Sequence, residues 1–325
     1  MSSGHSSPAV RRRAGSAPRA YTAGMTENVI VAIDGGPASA AALDWAITRA
    51  VGRSSAESDA QPIELELTTV VELGWSPHDV ALSFQPAYER ALAAATHEVE
   101  RRAPGCRRTS YIRHGVPVDE LVRASASADL MVIGSNKTGL LTGAVYGTLP
   151  LRLAAHAHCP VVVVPATWRP RIGPVVVGFD DDPAGTEALD WAADEAVRLG
   201  RGLRIVHSWS IPMTVAIDLG ATVPFEALRE ANAEALAITA QRVRDARPGL
   251  DVVEILDTGP AAPVLVDASA EAELLVVGTH GRGSVGSLIL GSVSHDVLLN
   301  LPCPIVVIPR RIDGTSSGGQ TGRPQ

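Results

Sequence analysis

The sequence predicts an α/β protein made of two doubly wound, five-stranded parallel-sheet domains in tandem, and three observations predict it. The chain repeats itself: Val29-Ile30-Val31-Ala32-Ile33-Asp34 returns as Val175-Val176-Val177-Gly178-Phe179-Asp180, and Leu43-Asp44-Trp45-Ala46 returns as Leu189-Asp190-Trp191-Ala192. Both pairs are displaced by 146 positions (180 − 34, 189 − 43), and later matches such as Cys159-Pro160 with Cys303-Pro304 by 144 (303 − 159). Within each copy short apolar runs alternate with helical patterns, the order that builds βαβ units. The runs are apolar throughout rather than on alternate residues, which marks strands buried on both faces of a parallel sheet.

In the first copy the expected strands are Val29–Ile33, Ile63–Val71, Thr109–Arg113, Leu130–Ile133 and Val161–Val164. In the second they are Val175–Phe179, Leu203–Trp209, Val252–Leu256, Leu274–Val277 and Ile305–Ile308, with helices over Thr186–Leu199, Ala227–Ala246 and Ala262–Ala270. A further helix is expected to open at Ser292. The 325 residues divide into a tail (1–24), a first domain (25–165), a linker (166–173) containing Trp168-Arg169-Pro170, a second domain (174–310) and a polar tail (311–325). The first tail is rich in Ser, Ala, Pro and Arg and reads as disordered, or as an extension before a start at Met25. The last strand of each copy, Val161–Val164 and Ile305–Ile308, is apolar, and such a strand invites pairing wherever it is left at a sheet edge.

Composition narrows the function. With 46% hydrophobic and 19% charged residues the chain can bury well-formed cores. A net charge of −7 argues against nucleic acid or an anionic membrane as a main partner. No apolar run approaches the ~20 residues that cross a bilayer. Three cysteines without metal-ligand spacing fit a reducing, cytoplasmic setting. His156-Ala157-His158-Cys159 looks like a metal cluster, but its counterpart is Asn300-Leu301-Pro302-Cys303, so a loop with a buried cysteine is the better account. Asp44-Trp45 and Asp190-Trp191 lie at helical positions where tryptophan packs on a sheet. No Ser-His-Asp arrangement, paired carboxylates or Walker loop is visible.

The chemistry gathers where strands end. Gly278, Gly281 and Gly291 punctuate a loop running off an apolar strand to Ser292, with Ser294 beyond it. Such a loop lets backbone approach a ligand, and a helix start offers N–H groups and a positive dipole end to phosphate oxygens. The competing reading is a turn that only allows tight packing. Asp34 and Asp180 end the first strand of each copy, where a carboxylate accepts from a ligand amine or sugar hydroxyl, or else caps the helix that follows.

On these residues the chain resembles the universal stress proteins in their tandem-domain form, over about residues 25–310. The family's ATP pattern (Gly, two residues, Gly, nine residues, Gly, then Ser or Thr) is met by Gly278, Gly281, Gly291 and Ser292. By the same resemblance Asp180 and Asp34 contact adenine, Ser208 and Val70 stand near the ribose, and Ser294 is the further hydroxyl. The first copy departs from the pattern: Gly134, Gly147 and Thr148 are kept, but Lys137 replaces the second glycine and Pro150 the later serine. Proline removes both a hydroxyl and an N–H, while lysine brings an ammonium to phosphate. The second copy departs in its first loop, where Asp181-Asp182 stand in place of Gly-Ser.

The resemblance implies that the last strand of each copy lies at a sheet edge, so the two domains are expected to dock there about a pseudo-two-fold axis. It implies ATP as ligand, with or without Mg2+. It also implies a nucleotide-dependent regulator in stress response rather than an enzyme, with at most slow ATP hydrolysis, acting as a homodimer with a regulatory protein partner. An adenylyl-transferring enzyme would need a loop such as Ser-Gly-Gly-x-Asp-Ser after the first strand, and neither copy has it. An interaction module without nucleotide is the remaining alternative.

Overall fold

A computed structural model describes residues 26–54, 62–72, 78–136, 148–180, 183–210, 225–279 and 290–309. The first half runs β1 (Glu27–Ala32), α1 (Pro37–Ser54), β2 (Ile63–Val71), α2 (His78–Arg102), β3 (Arg107–His114), α3 (Pro117–Ser125), β4 (Leu130–Ser135), α4 (Leu149–His156) and β5 (Val161–Pro165). The second runs β6 (Val175–Gly178), α5 (Pro183–Leu199), β7 (Leu203–Trp209), α6 (Phe225–Ala246), β8 (Val252–Thr258), α7 (Ala261–Ala268), β9 (Leu274–Gly278), α8 (Ser292–Asn300) and β10 (Ile305–Ile308). Proline occupies the first position of α1, α3 and α5, where its fixed φ suits a helix start and its missing N–H costs nothing.

Among the described residues the strands form one ten-stranded sheet in the order β3-β2-β1-β4-β5-β10-β9-β6-β7-β8. Each half has the order 3-2-1-4-5, with every pairing inside it parallel. The order reverses between β1 and β4, and again between β6 and β9, and a crevice opens beyond the strands' carboxyl ends at such a point. Asp34 and Gly134 flank the first crevice, Asp180 and Gly278 the second.

Side chains of successive strand residues point to opposite faces. Val29 and Val31 join one core with α1, α2, α5 and α6, while Ile30 joins the other with α3, α4, α7 and α8. Both cores run unbroken through the two halves. Alanines at 188, 192, 193 and 196 let α5 lie close on the sheet. Trp45 is in this core and Trp191 packs against it, as their helical positions suggested. The outer strands β3 and β8 are mixed in exposure, because one edge and part of each face meet solvent. They run longer than their apolar stretches, to His114 and Thr258.

The two halves join where the last strand of each was expected to pair. β5 and β10 are antiparallel, with Ile305 opposite Val163, Val306 opposite Val162 and Val307 opposite Val161. Val162 and Val306 are equivalent positions (306 − 162 = 144), so a pseudo-two-fold axis passes between them. Because the junction is antiparallel, the two crevices open at opposite ends of the sheet. The linker is stapled to the second half: Trp168 is buried, and the Arg171 guanidinium donates to the carbonyls of Ala270 (2.8 Å) and Pro302 (3.0 Å).

Candidate functional site

The second crevice is framed from β6, β7, β8, β9 and α8. Ser292 opens α8 as expected, and Gly291 precedes it in extended conformation with no side-chain cap. The first-turn N–H groups of residues 292–294 have no acceptor within their own helix. They form the positive end of the helix, next to the end of β9. Gly291 itself is committed, since its N–H donates to the Thr279 carbonyl at 2.7 Å and closes the loop's base.

Two hydroxyls singled out from the sequence hold backbone. The Ser294 hydroxyl, buried at 3% exposure, donates to the Gly278 carbonyl at 2.6 Å and fixes α8 to the end of β9. The Ser208 hydroxyl donates to the Gly259 carbonyl at 2.7 Å, tying the end of β7 to the turn before α7. In each case the oxygen keeps lone pairs for an incoming donor. Asp180 is half-buried just beyond β6. Gly185 must be glycine, because a Cβ there would lie 2.1 Å from the Asp180 carbonyl oxygen.

Sequence reasoning missed two further parts of this edge, His207 and Gly259, and the counterpart of Gly259 in the first half. His207, next to Ser208, bridges the Phe179 carbonyl (3.0 Å) and the Asn232 side-chain oxygen (2.9 Å), and so supports the backbone just before Asp180. Gly115 and Gly259 end β3 and β8 with φ +146°, a conformation that favours glycine. Their N–H groups donate to the Val71 and Trp209 carbonyls, so the two turns repeat each other across the duplication. Repetition at a displacement of 144 (259 − 115) was the signal available for them.

The first crevice is built differently. Asp34 is exposed, and its Oδ1 accepts from the Gly36 N–H at 2.7 Å, so this carboxylate does shape the turn into α1. It also lines a cleft of about 360 Å³ with Gly35, Ala87, Tyr88 and Ala91. Gly134 has a packing reason to be glycine, since a Cβ would sit 2.1 Å from the Ala38 carbonyl oxygen in α1. Val70 stands where Ser208 does and cannot clamp its neighbouring turn. Pro150 enters the first turn of α4 behind Thr148, removing the N–H and the hydroxyl that Ser294 supplies in α8. Gly281, Lys137 and Gly147 lie outside the described residues, as do Asp181 and Asp182.

Cys159 and Cys303 are buried in one core, and burial pushes both thiols up to about 12. They are packing groups and not thiolate nucleophiles at neutral pH. Among the described residues no helix is long and apolar enough to cross a membrane.

The model of the "Universal stress protein family" matches residues 25–165 and again 172–309. The universal stress protein Rv1996 of Mycobacterium tuberculosis is 30% identical over 299 residues, covering 86% of this chain and 94% of that protein. Rv2005c of the same organism is 30% identical over 290 residues, covering 86% and 96%. Among solved structures, a universal stress protein from Archaeoglobus fulgidus aligns with a TM-score of 0.65 at 19% identity, over 88% of this chain and 97% of that one. That likeness supports the fold. With both halves matched by one family model and full-length relatives at this identity, the chain belongs to the universal stress protein family.

Proposed function

We propose that the second half binds an adenine nucleotide, ATP in the first instance, and that the chain works as a nucleotide-dependent regulator rather than as an enzyme. The observation that carries this reading is the first turn of α8, with its donors turned to the end of β9 behind Gly278 and Gly291 and its position fixed by Ser294. Phosphate oxygens, with or without Mg2+, suit that turn and the Gly281 loop before it. Asp180 and Ser208 stand at the neighbouring strand ends, where adenine and ribose would find a carboxylate and a hydroxyl. The first half, with Val70 and Pro150, frames the assembly and binds nucleotide weakly or not at all. A cytoplasmic homodimer acting on a protein partner completes the reading.

Purifying the protein and identifying small molecules that co-elute, by mass spectrometry, tests it. An adenine nucleotide is expected. Absence of any binding to adenine nucleotides at millimolar concentration overturns the reading.

A further inference from the structure

Beside the β5–β10 junction, α1 and α5 bring together a buried group of charges. Arg49 is 4% exposed, Glu195 1% and Glu27 7%. The Arg49 guanidinium donates to Glu195 through Nη1 and to Glu27 through Nη2, the latter at 2.9 Å. Arg198 donates to Glu195 as well, with Nε at 2.8 Å from Oε2. Trp45 lies under Arg49, with 5.7 Å between the guanidinium carbon and the ring centre.

Arg49 and Glu195 are separated by 146 residues, which is the displacement of the duplication. They are one position of the ancestral repeat, meeting across the pseudo-two-fold axis. Had the halves stayed alike, this position would meet itself, as arginine on arginine or glutamate on glutamate. The rest of the group is equally one-sided. Glu27 has Gly173 as counterpart (173 − 27 = 146), and a Cβ there would lie 2.2 Å from the Glu271 carbonyl oxygen, so no carboxylate fits. Arg198 has Gly52 as counterpart (198 − 52 = 146). Two first halves docked through this surface would place guanidinium donors against each other in a dry site. Two second halves would do the same with carboxylates. Each like contact would keep its own counter-ion, Glu27 or Arg198, but at its centre a guanidinium–carboxylate attraction would give way to like-charge repulsion in a low-dielectric setting.

We propose that Arg49, Glu195 and Arg198 on α1 and α5, with Glu27 at the start of β1, form a pairing code beside the axis, whose partner is the unlike half of this sequence and which rejects the like half of a second copy. A homodimer of the chain then uses another surface, and the nucleotide-binding half stays joined to the half that frames it.

The full-length chain can present both rejected contacts within itself. Glu195→Arg sets arginine against arginine at this position, and Arg49→Glu sets glutamate against glutamate, each with Glu27 and Arg198 still beside it. Amide hydrogen exchange of Val161–Val163 and Ile305–Val307 reads the docking, with β1 and β6 as internal references. Each reversal is expected to speed exchange in β5 and β10 by roughly 100-fold or more, leaving β1 and β6 near wild type. The neutral pair Arg49→Met with Glu195→Met, combined with Glu27→Gln and Arg198→Met so that neither neighbour keeps a stranded charge, is expected to stay within about tenfold of wild type. Unchanged exchange in the reversals overturns the proposal. So does a neutral pair as damaged as they are, since packing and not charge would then decide. If a reversal fails to fold, Glu195→Gln carries the test: faster exchange confined to β5 and β10 supports the code, and no change overturns it.

Discussion

The two halves of this chain share strands, helices and turns, yet they differ at their ligand edges and on the axis where they meet. In the second half Ser208 holds the Gly259 carbonyl and Ser294 holds the Gly278 carbonyl. In the first half the same places carry Val70 and Pro150, and neither can donate. The difference teaches that duplication kept the residues that make the sheet and changed those that finish the crevice. One edge is clamped by two hydroxyls, while the other retains the shape without the clamps.

The largest expected effect concerns the axis. Burial alone would raise the Glu195 carboxyl, but the Arg49 and Arg198 guanidinium groups outweigh it and hold its pKa at about 2, against an ordinary 4.5. A carboxyl depressed on folding stabilises above its unfolded pKa, and that stability is lost as pH falls from about 4.5 to 2. It amounts to roughly 3 kcal/mol at neutral pH. Unfolding titrations of wild type and Glu195→Gln should therefore differ near pH 7 and converge toward pH 2. A difference independent of pH would contradict the assignment.

Next comes Gly134→Ala. The added Cβ meets the Ala38 carbonyl, so α1 must shift, at a cost of about 1–3 kcal/mol or more in thermal unfolding. A neutral outcome would remove the packing reason for this glycine. Ser294→Ala leaves the Gly278 carbonyl without its donor and should cost about 1–2 kcal/mol, with loosened exchange confined to α8 and β9. Ser208→Ala, at a half-buried position, should cost about 1 kcal/mol, seen as a small fall in the denaturation midpoint. Making the second half resemble the first by both changes together should weaken nucleotide binding more than either alone.

Much of this was legible in the sequence because it rests on local pattern. Apolar runs located β1, β4, β6 and β9 within a few residues, and the family resemblance, with an apolar last strand in each copy, pointed to the β5–β10 junction. Ser292 as the start of α8 followed from the glycine before it. The edges of β3 and β8 were less legible, since a half-exposed strand such as Arg107–His114 carries little apolar signal. The partners of Ser208 and Ser294 were not legible at all. A hydroxyl bonds whatever the fold brings within reach, and Gly278 stands 16 residues from Ser294. His207 escaped for the same reason, its two partners lying just past the end of β6 and on α6. Arg49 and Glu195 were visible as equivalent positions, but only the antiparallel junction shows that equivalence here means contact.

The central claim is that the nucleotide belongs to the second half. Equilibrium dialysis of the full chain against labelled ATP, for wild type and Gly281→Val, tests it most directly. The account predicts one nucleotide per wild-type chain and none in the variant, with the variant's fold intact by circular dichroism. Two equal sites per chain, or one site that survives Gly281→Val, would contradict it.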